Sequence, residues 1–295
     1  MKKQPKINKI GFLNVDKPSG IFSSAVVNKL KWLTGMPCGH MGTLDPLASG
    51  VLPVGVGNAT RLFDYFLQKK KVYVAEFTFG VCSDTLDSTG ELSFGGRIPT
   101  QGEIERVLPS LQGDVWQVPP KYSAKNVDGK RGYDLARQGI DFTLPPKQVR
   151  IDEVRLLGAG DRDGVFSFEI VCGGGTYIRS IARDMAEKLN TQAVMSALRR
   201  TQSGVFTLEN ALPFEKLLED QVDPDWLESL VIPADEVLPF DRLTLTAKNK
   251  ERIFDGVSVC TDAPDGTYKY YREDGSFYGL ATVTDGKAKL TTKLC

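Results

Sequence analysis

Residues 39–61 read GHMGTLDPLASGVLPVGVGNATR, a run in which Asp45 is the sole acid and His40 is the sole histidine of the whole chain. An aspartate among glycines ordinarily turns the chain by bonding its own backbone, or caps a helix. Pro46 argues for something else. The residue before a proline is pushed toward extended geometry, and proline has no N–H to offer a cap. Gly39 and Gly42 let the chain turn tightly around the acid, and Leu44, Leu47, Val51, Leu52 and Val54 are expected to wall it with apolar side chains. A carboxylate held among such walls is costly unless a cation answers it. The run is therefore expected to be a loop that carries a functional acid.

The chain around it has 295 residues, 41% hydrophobic and 25% charged, which is ordinary for a folded protein with one large domain and an appendage, or two middling ones. No apolar run approaches the roughly 18–20 residues needed to cross a bilayer. The basic start MKKQPKINKI leads into no hydrophobic segment with a small-residue cleavage site, so a cytoplasmic location is expected. Five scattered cysteines (Cys38, Cys82, Cys172, Cys260 and Cys295) suit reduced thiols. With no CxxC pair and one histidine, no metal site built on thiolates or imidazoles is expected.

A formal net charge of zero hides segregation. Residues 1–71 carry eleven bases against three acids and residues 121–150 seven against three, whereas residues 209–241 carry ten acids against one lysine. Such a distribution permits a basic face for a polyanion without requiring one, since charge runs are most often solvated surface.

Local patterns predict the following order. INKIGFLNVDKPSG (7–20) is a strand closed by a turn, and SSAVVNKLKWLTG (23–35) is a short helix with Ser23 or Ser24 as N-cap and Gly35 as its stop. KVYVAEFTFGVCS (71–83) alternates as a strand, SDTLDSTGEL (83–92) turns, and TQGEIERVLPSLQ (100–112) is a helix capped at Thr100. VPPKYSAKNVDGKRGYDLARQGIDFTLPPK (118–147), bracketed by two Pro-Pro pairs, is a loop and short helix projecting from the body. GVFSFEIVCGGGTYIRSIARDMAEKLN (164–190) joins a strand to a helix whose buried face is Ile178, Ile181, Met185 and Leu189. Residues 211–238 are broken helix, and the tail from about Leu243 is short strands. Interleaving without a regular βαβ beat makes the body α+β.

The opening run resembles the signature of the TruB family of pseudouridine synthases. The likeness continues in order through LNVDKPSG (13–20), KVYVAEFTFG (71–80), SDTLDSTGEL (83–92), PPKYSA (119–124), GKRGYDLARQG (129–139), GTYIRSIARDM (175–185) and LRRTQSG (198–204), covering roughly residues 8–215. The resemblance implies a pseudouridine synthase fold with a mixed, mainly antiparallel central sheet: a catalytic domain over residues 1–235, with an RNA-binding insertion at about 121–150, then a small PUA-like β domain over 236–295. It further implies isomerisation of uridine 55 in the tRNA T-loop, without a cofactor, by a monomer that engages the tRNA T-arm and needs no obligate protein partner.

By the same likeness Asp45 is the nucleophile, acting by attack on the ribose or through elimination to a glycal. Arg179 is the arginine that pairs with it; a guanidinium favours the charged form of a neighbouring carboxylate and fixes its direction, so an ion pair is expected. Tyr73 stacks on the base and is the candidate to remove the C5 proton, Tyr177 and Leu198 line the uracil pocket, and His40 fills space vacated by the flipped nucleotide. Lys125, Lys130, Arg131 and Arg137 in the insertion are expected to contact phosphates. The chain departs from the family pattern at Gly173–Gly175, where many members place a lysine before the last glycine, and at the order of Lys125 and Asn126. The first departure predicts one RNA-facing charge fewer. Three rivals share some of these residues: an RNA-folding chaperone, a guide-dependent relative, and a glycosidase, which needs a second carboxylate about 5–9 Å away, Asp64 or Asp84 being nearest in sequence.

Overall fold

The computed structural model describes residues 7–123, 126–127, 130–245 and 247–294. Eight strands form the main path of one large sheet: β1 Gly11–Lys17, β2 Ser49–Val56, β3 Lys71–Phe79, β4 Gly113–Gln117, β5 Lys147–Ala159, β6 Val165–Cys172, β7 Ala193–Ser203 and β8 Leu212–Pro213. Their spatial order is β8-β1-β2-β7-β3-β6-β5-β4. Only β8 on β1 and β7 on β2 are parallel along this path; the fold is α+β with a mixed, mainly antiparallel sheet.

β3 shows why these residues make a sheet. Its buried and half-buried positions alternate strictly over KVYVAEFTF, so Tyr73, Ala75, Phe77 and Phe79 share the core face. Phe77 meets Phe168 of β6 with ring centroids 4.8 Å apart. The core on that face is completed by helix α1 (Ser23–Thr34) and helix α2 (Ile178–Lys188), and Ile178, Ile181, Met185 and Leu189 are all buried as expected.

The signature run is only partly a loop. Cys38–His40 is a short strand paired with β2, and β2 itself occupies residues 49–56 in the middle of the sheet. Val51, Leu52, Val54 and Val56 are fully buried there. Two glycines and a proline disguise this apolar strand in the sequence, and the true turn is confined to residues 41–48. At Gly50 the backbone has φ +100°, and a Cβ would run into the Arg200 carbonyl oxygen of β7. Gly50→Ala is expected to destabilise the protein by about 3 kcal/mol in denaturant unfolding, through strain and clash together.

The serine expected to cap α1 does other work. Helix α1 has Phe22 at its N-cap with no side-chain cap, while Ser23 Oγ donates to Leu44 O at 2.7 Å and accepts from Leu44 N at 2.9 Å. The residue immediately before Asp45 is thereby tied to the helix. Gly35 ends α1 in the left-handed region, φ +68°, and Thr100 does cap its helix in a reciprocal box with Glu103.

Within the insertion, Asn126–Val127 pairs with Lys130–Arg131 and a short helix runs over Gly132–Arg137. Lys125 lies outside the described residues, as do the side chains of Lys130 and Arg131; Arg137 is exposed at the helix end. The tail forms a four-stranded sheet with its own core of Leu243, Leu245, Ile253, Val259 and others, but Leu280 and Leu294 pack with Phe12, Phe66 and Phe206 of the body. It also contains a helix, Ala247–Phe254, that the strand reading of the tail missed because AKNKERIF shows too few apolar positions to reveal a helical period. No helix among the described residues is long and apolar enough to cross a membrane.

Candidate active site

Strand ends and helix α2 meet at a cavity of about 210 Å³ lined by Asp45, Tyr73, Tyr177, Arg179 and Leu198, with Leu44, Lys71, Met195 and Arg200 among its other walls. Five of the six residues expected at the centre of the site are thus together. His40 is not among the lining residues; it sits opposite Val54, with its Nδ1 buried and without a partner among the described residues. Burial pushes its imidazole down from the ordinary value. Of the expected apolar walls only Leu44 reaches the cavity; Leu52 and Val54 belong to the main core and Val51 to a second cluster, because β2 is a strand and turns them away.

The expected ion pair is present. Arg179 Nη2 lies 3.0 Å from Asp45 Oδ2, the arginine side chain nearly buried and the aspartate side chain 37% exposed toward the cavity. The guanidinium is held from three other directions: Nη1 donates to Thr85 O at 2.9 Å and faces Asp87 Oδ2 at 3.6 Å, and Nη2 donates to Tyr122 O at 3.0 Å. Asp87, itself buried, accepts from Thr85 Oγ1 at 2.8 Å and Thr89 N at 3.0 Å, and also from Thr89 Oγ1. Such crowding around one planar fork sets its angle, and with it the direction of the Asp45 carboxylate.

The backbone of the Asp45 turn is clamped by buried cations. Arg200 donates through Nε to Val51 O at 2.7 Å and through Nη2 to Gly42 O at 3.0 Å. Lys17 Nζ donates to Pro18 O at 2.9 Å and Ile21 O at 2.8 Å, and reaches Pro46 O at 3.4 Å. Its ammonium is pushed down to about 8, chiefly by burial, with Asp45 acting in the opposite direction. Lys71 is likewise down to about 8, from burial and then Arg200, while donating to Leu67 O at 2.9 Å and Lys69 O at 2.7 Å. Burial pushes the Tyr73 phenol up, against the Arg200 guanidinium beside it.

Tyr177, the residue before α2, is gripped by Gln117 at the end of β4. Gln117 Nε2 donates to Tyr177 O at 3.1 Å and its Oε1 accepts Tyr177 N at 2.8 Å, so one amide pairs with the backbone as a strand neighbour would. Asp87, Arg200, Lys71 and Gln117 escaped the sequence reading. The first two stand inside the quoted runs SDTLDSTGEL and LRRTQSG, and the Gln-Val-Pro-Pro order before the insertion is the signal for the last.

Neither Asp64 nor Asp84 lines the cavity. Asp84 instead accepts from Tyr122 Oη at 3.1 Å and Glu91 N at 3.2 Å, so the second carboxylate a glycosidase requires is not supplied by either. Among the described residues no cluster of three or more histidine, cysteine, aspartate or glutamate side chains is arranged to hold a metal ion.

The fold is that of the pseudouridine synthases: a chain in the crystal structure of a Cbf5–Nop10–Gar1 complex superposes with a TM-score of 0.68 at 22% identity, covering 97% of this chain and 84% of that one. A chain of an archaeal box H/ACA Nop10–Cbf5 complex gives the same TM-score, 0.68, at 19% identity. Residues 31–178 match the TruB family pseudouridylate synthase N-terminal domain, and residues 179–239 match the tRNA pseudouridylate synthase B C-terminal domain. A protein of Acaryochloris marina named tRNA pseudouridine synthase B is 39% identical over 95% of this chain and 97% of its own length. One of the same name from Clostridium novyi is 39% identical over 92% and 94%. The chain belongs to the TruB family of pseudouridylate synthases.

Proposed function

We propose that this chain converts uridine 55 in the T-loop of tRNA to pseudouridine, with Asp45 as nucleophile and the target nucleotide flipped into the cavity. What carries this reading is a single carboxylate, half open to a small cavity and fixed by Arg179 at 3.0 Å, facing two tyrosines and a leucine of uracil-binding character. The relatives' names supply the substrate class. In the reaction the C1′–N1 bond breaks and a C1′–C5 bond forms, C5 loses a proton and N1 gains one; nothing is oxidised or added, so no cofactor is called for. Asp45 takes the ribose side of this exchange, by direct attack or by elimination, and the detached uracil turns between the aromatic faces. Tyr73 stacks on it; to take the C5 proton it must first be the phenolate, which Arg200 beside it favours and burial opposes, and it ends as the neutral phenol.

Extruding a base from a folded loop forfeits a few kcal/mol of stacking, which aromatic and apolar walls offset. The insertion, with Lys125, Lys130, Arg131 and Arg137, and the PUA-like tail over residues 236–295 are proposed to add phosphate contacts along the T-arm. His40 is assigned to the space the flipped nucleotide leaves, consistent with its place outside the cavity lining. His40→Ala is expected to slow single-turnover pseudouridine formation about 10-fold, roughly 1.4 kcal/mol of barrier, without abolishing it. Complete loss of chemistry with normal tRNA affinity would contradict that assignment.

The test of the reaction is tritium release from tRNA transcripts labelled at uracil C5. One equivalent per tRNA is expected from a transcript with uridine at position 55, and none from the position-55 cytidine transcript. Equal release from both would overturn the assigned position.

A further inference from the structure

The triple glycine before Thr176 forms the lip of the cavity, and nothing in the proposed reaction uses it. Gly175 and Thr176 line the opening. Gly174 packs so closely on the preceding wall that a Cβ would overlap the Leu67 carbonyl oxygen, which bars any side chain there. Gly175 has φ +82°, and the Lys147 ammonium lies 3.3 Å from where its Cβ would stand, so the lysine packs tightly over the bare backbone. Lys147 is exposed and not itself a lining residue, so its charge stands just outside the opening.

That charge is not spent on the protein. Arg150, three residues on in β5, is held by Asp152 at 3.0 Å and Asp114 at 3.5 Å, whereas among the described residues no ion pair engages Lys147. The position of Lys147 is fixed all the same. It pairs across the sheet with Gln117, the residue that grips Tyr177, so the lysine, the tyrosine and the lip share one frame. A lip bare of side chains lets a nucleic acid backbone cross close to the protein, and an unneutralised ammonium over it attracts the anionic part of that backbone.

We propose that Lys147 and the Gly173–Gly175 lip form a phosphate subsite that holds the phosphodiester of the nucleotide entering the cavity. The inference rests on the proposed function and deepens it. It also revises the sequence expectation of one RNA-facing charge fewer at this place: the cation comes from β5.

The experiment measures the affinity of the full chain for an unmodified tRNA transcript across a series of salt concentrations. Lys147→Ala is expected to weaken binding about 3- to 10-fold and to lower the slope of log affinity against log salt by about 0.7–0.9, one phosphate contact. Lys147→Arg is expected to keep the slope, and Arg150→Ala, which removes an already neutralised cation, to leave it as in the unsubstituted protein. An unchanged slope in Lys147→Ala, or an equal loss in Arg150→Ala, overturns the subsite. Failure of the parent reading looks different: no pseudouridine forms in the transcript, yet the slope still depends on Lys147.

Discussion

Asp45→Asn is expected to abolish tritium release from C5-labelled tRNA, by at least about 10⁴-fold in single-turnover rate, while tRNA affinity stays within a few-fold of the parent. The amide is isosteric but cannot act as the nucleophile at C1′, and among the described residues no second carboxylate lines the cavity to replace it. Binding survives for a separate reason. Arg179 keeps Thr85 O, Tyr122 O and Asp87, and the turn backbone keeps its bonds to Arg200 and Ser23, so the cavity holds its shape. Filter binding beside the tritium assay checks both halves. Loss of binding together with turnover would show that the acid builds the site instead of acting in it, and preserved turnover would show that another group performs the chemistry; an RNA chaperone would bind tRNA and release no tritium even with Asp45 intact.

Arg179→Lys is expected to lower the single-turnover rate about 10²- to 10³-fold and to leave tRNA affinity nearly unchanged. The substitution keeps the charge and discards the fork. A single ammonium cannot answer Asp45, Asp87, Thr85 O and Tyr122 O at once, so the carboxylate loses its fixed direction, and misplacement by about 1 Å costs on the order of 10²-fold. Arg179→Ala would go further and leave Asp87 buried without a counter-ion, a loss of about 3–5 kcal/mol that puts folding itself at risk. Lysine is therefore the informative variant. Thermal unfolding followed beside the rate separates the two effects: a rate loss with little change in melting supports orientation, whereas a rate loss that tracks melting does not.

At the candidate site the acid was legible locally, whereas its cation was reached only through the family likeness. Asp45 before Pro46 and among glycines marks an acid that the chain holds for something other than a turn, and the resemblance of GTYIRS to the TruB motif pointed to Arg179; the structure sets the two 3.0 Å apart across 134 residues of chain. What supports the pair was less legible. Asp87 and Gln117 act through contacts with Arg179 and Tyr177 that no local periodicity records, since they depend on how β4 and the 83–92 turn stack against α2. Composition also misled at β2, where two glycines and a proline concealed a central strand whose apolar residues are fully buried. A polar side chain misled in the same way at Ser23, because a helix start that can spare its cap is free to bond elsewhere. The tail helix escaped for want of apolar positions.

The account turns on one residue performing one isomerisation at one place in tRNA. Mapping pseudouridine at single-nucleotide resolution in tRNA from cells that lack this chain, then from the same cells supplied with either the intact chain or Asp45→Asn, tests that most directly. Pseudouridine is expected to vanish from position 55, to return with the intact chain, and to stay absent with Asp45→Asn. Restoration of the modification by the asparagine variant would contradict the account.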